Sequence, residues 1–404
     1  MEVKETEQSQ AVHGVVELEK QYLLGTYARL PIVLAKGKGV FVEDVNGKKY
    51  LDMVSGLGVN ALGYAHPRIV KVIRDQAAKL THISNLYYAE YQGPLAKKLV
   101  ELSGLGRVFF SNTGTEAIDG AIKLARAKAK KTGNEAKFKL VAATNSFHGR
   151  TYGGMSLTAT AKYRDDFKPL LDGVTFVPLN DLDALRNAVT DETCAVFLET
   201  IQGEGGIFEC NAEYLQEARR LCDQHHACLV LDEIQCGMGR TGEMFAYTRS
   251  GIKPDILTLA KPIAGGLPLG AIVVSEEVAS AISAGKHGTT FGGGPLACRV
   301  ALEFLSILED EHLLEHVQKL GAYFHEELTN LQTKNKIVKE VRGRGLMLAL
   351  DLNVPSKPYT DAALNEGVLF NSTHQTTIRM LPPFIIEEKH VDKAVKVLKK
   401  VLKK

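Results

Sequence analysis

Leu229-Val-Leu-Asp-Glu-Ile-Gln-Cys-Gly-Met-Gly-Arg-Thr-Gly242 and, shortly after it, Asp255-Ile-Leu-Thr-Leu-Ala-Lys261 are the stretches that decide the fold. Each is an unbroken apolar run that ends on a charged side chain and enters a turn of small residues. Continuous apolar runs suit strands buried on both faces, as in parallel sheets covered by helices. Lys261 follows Asp232 by 29 residues, enough for one helical crossover and the next strand.

The same texture extends outward from about residue 105 to 275. Further runs are Val108-Phe-Phe110, Leu140-Val-Ala-Ala143, Phe176-Val-Pro178, Ala195-Val-Phe-Leu198 and Ala271-Ile-Val-Val274, separated by helix-like stretches. Thr115 to Lys131 reads as a helix, with Ile118, Ile122 and Ala125 on one face. Lys128, Lys130 and Lys131 suit its negative end, and Gly133 its stop. The pattern predicts an α/β fold with a mostly parallel sheet covered on both faces.

Beyond Pro295 the texture changes. Long helices are expected over Leu296 to Asp310 and Leu313 to Leu331, the second with Val317, Leu320, Phe324, Leu328 and Leu331 on one face. Gly345-Leu-Met-Leu-Ala-Leu-Asp-Leu352, the run Val368-Leu-Phe370 and a closing amphipathic helix complete a small α+β lobe. At the other end, Val15 to Leu24 is helix-like, and Val40 to Leu51 reads as a hairpin turned at Asn46-Gly47. The expected division is a segment 1–55 packing with the small domain, a large domain 56–295 and a small domain 296–404.

Composition excludes several classes. The 404 residues carry 49 Lys and Arg against 47 Asp and Glu, a net charge of +2 that gives too weak a field for nucleic acid as main partner. No run approaches the roughly 18 to 20 apolar residues needed to cross a membrane, and the polar start has no apolar core of a signal peptide. The six cysteines form no Cys-x-x-Cys pair, so reduced thiols in a cytoplasmic protein are expected, with no metal site.

Polar motifs cluster just past the strand ends, where open α/β sheets bind ligands. Ser111-Asn-Thr-Gly-Thr-Glu-Ala117 opens a helix, so the amides around Gly114 and Thr115 would face an anion. A Ser/Thr-capped helix has the same signature. Phe147 beside Gly149 can lie flat on a ligand ring, and Arg150 offers a fork for a carboxylate; a solvent-exposed loop arginine is the commoner case. Glu199 and Glu204 flank a Gly-rich loop that can approach a ligand closely, though either is also an ordinary loop residue. Asp232 ends a fully apolar strand, where a buried carboxylate needs a cation or donors; capping a helix is the alternative. Gly288-Thr-Thr-Phe-Gly-Gly-Gly-Pro295 can hold a phosphate or simply turn the chain. Lys261, leaving an apolar strand, has its charged form disfavoured and can form a Schiff base with an aldehyde, pyridoxal phosphate being the obvious one.

In this order the motifs Ser111-Asn-Thr-Gly-Thr-Glu-Ala117, Phe147-His-Gly-Arg150, Glu199-Thr-Ile-Gln-Gly-Glu-Gly-Gly206, Asp232-Glu-Ile-Gln235, Lys261 and Thr289-Thr-Phe-Gly-Gly293 resemble those of class III (subgroup II) pyridoxal-phosphate aminotransferases of fold type I. The resemblance covers nearly the whole chain. It implies that Lys261 forms the Schiff base and shuttles a proton, that Asp232 pairs with the ring nitrogen and Gln235 with the ring hydroxyl, and that Phe147 and Ile234 sandwich the ring. Gly114 and Thr115 would bind the phosphate, joined by Thr290 of a neighbouring subunit in a homodimer. Arg379 would take the α-carboxylate of glutamate or of the amino donor and Arg150 the second carboxylate of glutamate, with Thr289 near the substrate and Glu204 neutralising Arg379 when no carboxylate is present.

The implied reaction moves an ω-amino group, the δ-amine of N2-acetylornithine first among the candidates, to 2-oxoglutarate, giving N-acetylglutamate 5-semialdehyde and glutamate in arginine biosynthesis. Ornithine, succinylornithine, 4-aminobutyrate and carrier-linked lysine are alternative donors, and a non-catalytic cofactor-binding regulator is the alternative outside enzymes. The chain departs from the family pattern at Thr200 (usually Pro), at Pro262 and Ala264 (usually Gly), at Ile118-Asp119 (usually Asn-Glu) and at Gly294 (often Asn). Thr200 and Gly294 are expected to adjoin the substrate side of the site.

Overall fold

The computed structural model describes Val12 and residues 14–403. Its central sheet has seven strands in the spatial order Arg107–Ser111, Gly270–Val274, Ile256–Leu259, Cys228–Asp232, Thr193–Glu199, Lys139–Ala143 and Val174–Val177. Every apolar run singled out between residues 105 and 275 falls on one of these strands, Pro178 alone lying one residue past the end of Val174–Val177. Cys228–Asp232, Thr193–Glu199 and Ile256–Leu259 carry no exposed residue, which is why their sequences lack the alternation of a half-buried strand.

One strand is reversed: Gly270–Val274 runs antiparallel to both neighbours, whereas the remaining pairs are parallel. Only residues 260–269 separate it from Ile256–Leu259. That is less than the dozen or so residues a parallel crossover needs. The connection from Asp232 to Ile256 also differs from the expected helical crossover, since its one helical piece is the short 3-10 segment Ala246–Ser250. Gly239 and Gly242 take positive φ there, at 95° and 86°, which turns the chain instead of winding it.

The helix Gly114–Lys130 packs against the sheet through Ala117, Ile118, Ala121, Ile122 and Ala125. Thr113 caps it by accepting from the Glu116 amide, so the capping function of this motif is real. Lys128 and Lys130 sit in its last turn, opposite the helix dipole.

Both ends of the chain meet in smaller sheets. Leu34–Lys38, Phe41–Asp44 and Lys49–Asp52 form an antiparallel meander, and Val368–Leu369 adds to it parallel to Lys49–Asp52. A second sheet orders Val338–Arg344, Met347–Leu352, Thr377–Met380 and Asn371–Thr373, all antiparallel. The helices Pro295–Asp310, Leu313–Gln332 and Glu388–Val401 bury Phe304, Val317, Phe324, Leu328, Val391 and Leu398 in one continuous core with these sheets. An N-terminal helix spans 14–22.

Candidate active site

The strand order sets the site. Asp232 lies opposite Glu199 on one side and Thr258 on the other, so the residues following three neighbouring strands converge at one edge of the sheet. There they wall a cavity of about 370 Å³ bordered by Gly114, Thr115, Phe147, Arg150, Glu204, Asp232, Ile234, Gln235 and Lys261. Nine of the expected site residues are thus brought together, from five separate segments.

Lys261 follows the strand Ile256–Leu259 with φ +42°, a left-handed conformation that a non-glycine residue adopts only when its surroundings hold it. Pro262 then occupies the first turn of the 3-10 segment Lys261–Ala264, where a missing amide hydrogen costs nothing. The departure from glycine at 262 is therefore structurally compatible. Burial lowers the Lys261 pKa, with Arg379 adding to the effect while Asp232 and Glu204 oppose it.

Asp232 is 4% exposed and fully engaged. One carboxylate oxygen accepts from the Ile234 amide at 3.0 Å; the other meets His148 Nδ1 at 2.8 Å. Burial disfavours the His148 imidazolium, yet the bond to Asp232 and the charges of Asp232 and Glu199 outweigh it and raise the His148 pKa. Glu199 holds the backbone of two cavity loops, accepting from the amides of Phe147 (2.8 Å) and Gly203 (2.9 Å), and burial raises its pKa. Neither His148 nor the loop-holding function of Glu199 was recognisable in the sequence, because their partners are 52 or more residues away for His148 and Phe147.

The two arginines stand in different states. Arg379 is buried, 1% exposed, and its guanidinium is shared among Glu204 Oε1 (2.6 Å), Gln235 Oε1 (3.2 Å) and Asn371 Oδ1 (2.7 and 3.0 Å). It does not border the cavity but lies behind Glu204 and Gln235, which do. Burial disfavours the Glu204 carboxylate, but Arg379 wins and lowers its pKa. Asn371 is thus a partner of Arg379 that sequence reasoning missed. Arg150, by contrast, is exposed, borders the cavity and pairs with no carboxylate among the described residues.

Thr115 has a second use. Its Oγ1 accepts from the amides of Arg150 (3.0 Å) and Thr151 (3.1 Å), and a Cβ on Gly149 would fall 2.1 Å from that oxygen. The Thr115 hydroxyl therefore pins the turn that carries Arg150, which leaves the first-turn amides of Gly114 and Thr115, without intrahelical acceptors, for an anion. Gly149 also has φ +129°, so Gly149→Ala should cost several kcal/mol through both strain and overlap, read as a lowered denaturant midpoint.

Thr289 and Thr290 lie elsewhere in the chain. They border a separate hollow with Asn112, Glu116, Lys123 and His287, and neither lines the Lys261 cavity. Thr289 Oγ1 accepts from Asn112 Nδ2 at 3.2 Å. Thr200 and Gly294 also fail to border the cavity, contrary to expectation. Thr200 is buried with its hydroxyl donating to Glu233 Oε1 at 2.9 Å, while Gly294 caps the helix Pro295–Asp310. Glu233, whose pKa burial raises to about 7, also accepts from the amides of Ala246 and Tyr247. Thr200→Val should therefore destabilise the chain by about 1–3 kcal/mol in chemical unfolding, with the cavity intact.

The residues fit pyridoxal phosphate. A Cβ on Gly114 would come within 2.8 Å of Ile234, so only a glycine at the helix start lets Ile234 lie over the cavity beside the free amides. Among the described residues, no group of His, Cys, Asp and Glu is arranged to hold a metal. All six cysteines are free and buried.

A family model for class-III aminotransferases matches residues 25–402. An acetylornithine aminotransferase of Methanocaldococcus jannaschii is 48% identical over 96% of this chain and 97% of its own length. One of Aquifex aeolicus is 45% identical over 94% and 100%. The ornithine aminotransferase of Toxoplasma gondii, whose structure has partial occupancy of PLP at the active site, superposes with a TM-score of 0.93 at 33% identity, covering 97% of this chain and 94% of that one.

Proposed function

The chain belongs to the class-III aminotransferases, a family dependent on pyridoxal phosphate, and from that premise we propose that it transfers the δ-amino group of N2-acetylornithine to 2-oxoglutarate in arginine biosynthesis. The observation that carries this reading is the pair Glu204–Arg379 at 2.6 Å beside the Lys261 cavity. An enzyme alternating between an amine whose reacting carbon bears no carboxylate and glutamate, whose reacting carbon does, needs a cation that can be covered and uncovered. The names of the relatives support acetylornithine as the donor.

When bound, pyridoxal phosphate supplies the electron sink for the bond-breaking steps. In our reading Gly114 and Thr115 hold its phosphate through backbone amides, Phe147 and Ile234 face its ring, Gln235 meets its hydroxyl and Asp232 keeps its nitrogen protonated, with His148 fixing Asp232. Lys261 Nζ, whose charged form burial disfavours, takes the proton from the substrate's amine-bearing carbon.

Bond counting revises one expected assignment. In acetylornithine the reacting Cδ has no carboxylate, and its carboxylate lies four bonds away; in glutamate the side-chain carboxylate lies three bonds from the reacting Cα. Arg150 therefore suits the remote carboxylate of both substrates, and Arg379 only the α-carboxylate of glutamate, after Glu204 has swung away. Glu204→Ala leaves Arg379 without a carboxylate partner. It should lower kcat/KM for acetylornithine by roughly 10²-fold while sparing the glutamate half-reaction, measured in single turnovers.

A second copy of the chain completes this reading. Leu86, Tyr87, Tyr88 and Phe291 are exposed on two segments tied by Asn85 Nδ2, which donates to the carbonyls of Thr289 and Gly292; Thr290 is exposed on the second and would serve the site of the neighbouring subunit in a homodimer. No described helix is long and apolar enough to cross a membrane. The free cysteines support a cytoplasmic location. Comparing acetylornithine, ornithine, succinylornithine and 4-aminobutyrate against 2-oxoglutarate tests the proposal: acetylornithine should give the highest kcat/KM, and a higher value for any other donor would reassign it.

A further inference from the structure

We propose that Tyr163 is the positioning residue that holds Arg150 ready for the remote carboxylate of either substrate, an inference that rests on the reading of Arg150 given above. The Arg150 guanidinium carbon lies 4.0 Å from the centroid of the Tyr163 ring and 5.5 Å from that of Phe147. The two rings meet edge to face, 5.8 Å apart at 83°. Tyr163 thus touches two cavity-lining side chains at once while bordering the cavity itself nowhere.

The contrast with Arg379 gives this contact its meaning. Arg379 is fixed by three oxygen-bearing side chains and is occupied until Glu204 leaves. Arg150 has its backbone pinned by Thr115 Oγ1, but its guanidinium has no carboxylate or carbonyl partner among the described residues. A long, exposed arginine tied only at its backbone would sample many rotamers and lose that freedom on each binding event. A ring face restrains the planar group without occupying its N–H donors, so the fork stays free for a carboxylate. Stacking therefore does for Arg150 what a counter-carboxylate could not do without blocking it.

Lys162 Nζ lies 4.8 Å from the same ring centroid, so two cations share it. The Arg150 contact is the closer one.

The test uses the loaded, full-length enzyme with Tyr163→Leu, Tyr163→Phe and Arg150→Ala, Leu being chosen because it keeps an apolar side chain in a half-buried position. Binding of glutarate, a dicarboxylate that cannot react, is read by calorimetry. Single turnovers are followed with glutamate, acetylornithine and alanine, the last having no remote carboxylate. Tyr163→Leu should weaken glutarate and raise KM for glutamate and acetylornithine by about 2- to 30-fold, the range of a cation–π contact, with kcat unchanged and alanine unaffected. Tyr163→Phe, which retains the ring, should restore wild-type behaviour. If Arg150→Ala weakens glutarate but Tyr163→Leu does not, the inference about Tyr163 is overturned and that about Arg150 stands. If Arg150→Ala also leaves glutarate unaffected, both fall. Equal losses with alanine and glutamate would make Tyr163 a structural residue only.

Discussion

Lys261→Ala should lose turnover by at least about 10⁴-fold, the upper end of what a positioned acid–base group contributes by itself, because no other amine among the described residues borders the cavity. The effect is expected on kcat with the fold intact: alanine keeps a Cβ at φ +42°, so the substitution removes the amine and leaves the backbone strain as it was. Borohydride reduction should leave pyridoxal phosphate covalently attached to the wild-type chain and not to the variant, read by mass spectrometry. Retained turnover in Lys261→Ala would remove the lysine from the mechanism altogether. The lowered pKa gives a pH test with a definite sign. Burial favours the neutral amine, so the rate at which apoenzyme takes up the cofactor should rise with pH and level off below the ordinary lysine value of about 10.4.

Asp232→Ala should lower kcat/KM by about 10²–10³-fold, the typical loss when one preorganised electrostatic partner is removed from a dry site. The cofactor should still attach, since Lys261 is untouched. A pyridoxal phosphate carrying a methyl group on its ring nitrogen has a permanent positive charge there and should restore much of the activity of Asp232→Ala. Failure of that rescue, with full occupancy of the site, would mean that Asp232 acts otherwise than through the ring nitrogen. Removing Asp232 also leaves His148 Nδ1 buried without its partner, so a modest loss of stability is expected alongside.

Lys261 and Asp232 were the most legible residues of the site for a physical reason. A charged side chain ending a continuous apolar strand is anomalous at the level of a few residues, and the anomaly is visible without knowing what lies opposite. Gly114 and the capping Thr113 were legible for the same local reason. The N-terminal hairpin followed from Asn46-Gly47, and Gly47 indeed has φ +83°. Strands Val338–Arg344 and Thr377–Met380 were not legible, because charged residues such as Arg342 and Arg379 interrupt their apolar pattern and only distant partners neutralise them.

The sequence by itself therefore determined the strands of the central sheet, their order along the chain and the chemistry placed at their ends, since these depend on hydrophobic runs and on turns of a few residues. It also determined the family, through six motifs in fixed order. The tertiary structure alone decided which of those groups meet. Glu204 pairs with Arg379 across 175 residues, Asp232 with His148 across 84, and Arg150 rests on Tyr163 because the turn after Lys139–Ala143 is pinned to the helix Gly114–Lys130. Side-chain partnership is fixed by strand order and packing, which short-range pattern does not encode. It also separated two arginines that look alike in sequence: one is buried and already paired, the other exposed and stacked, and substrate selection in our reading depends on that difference.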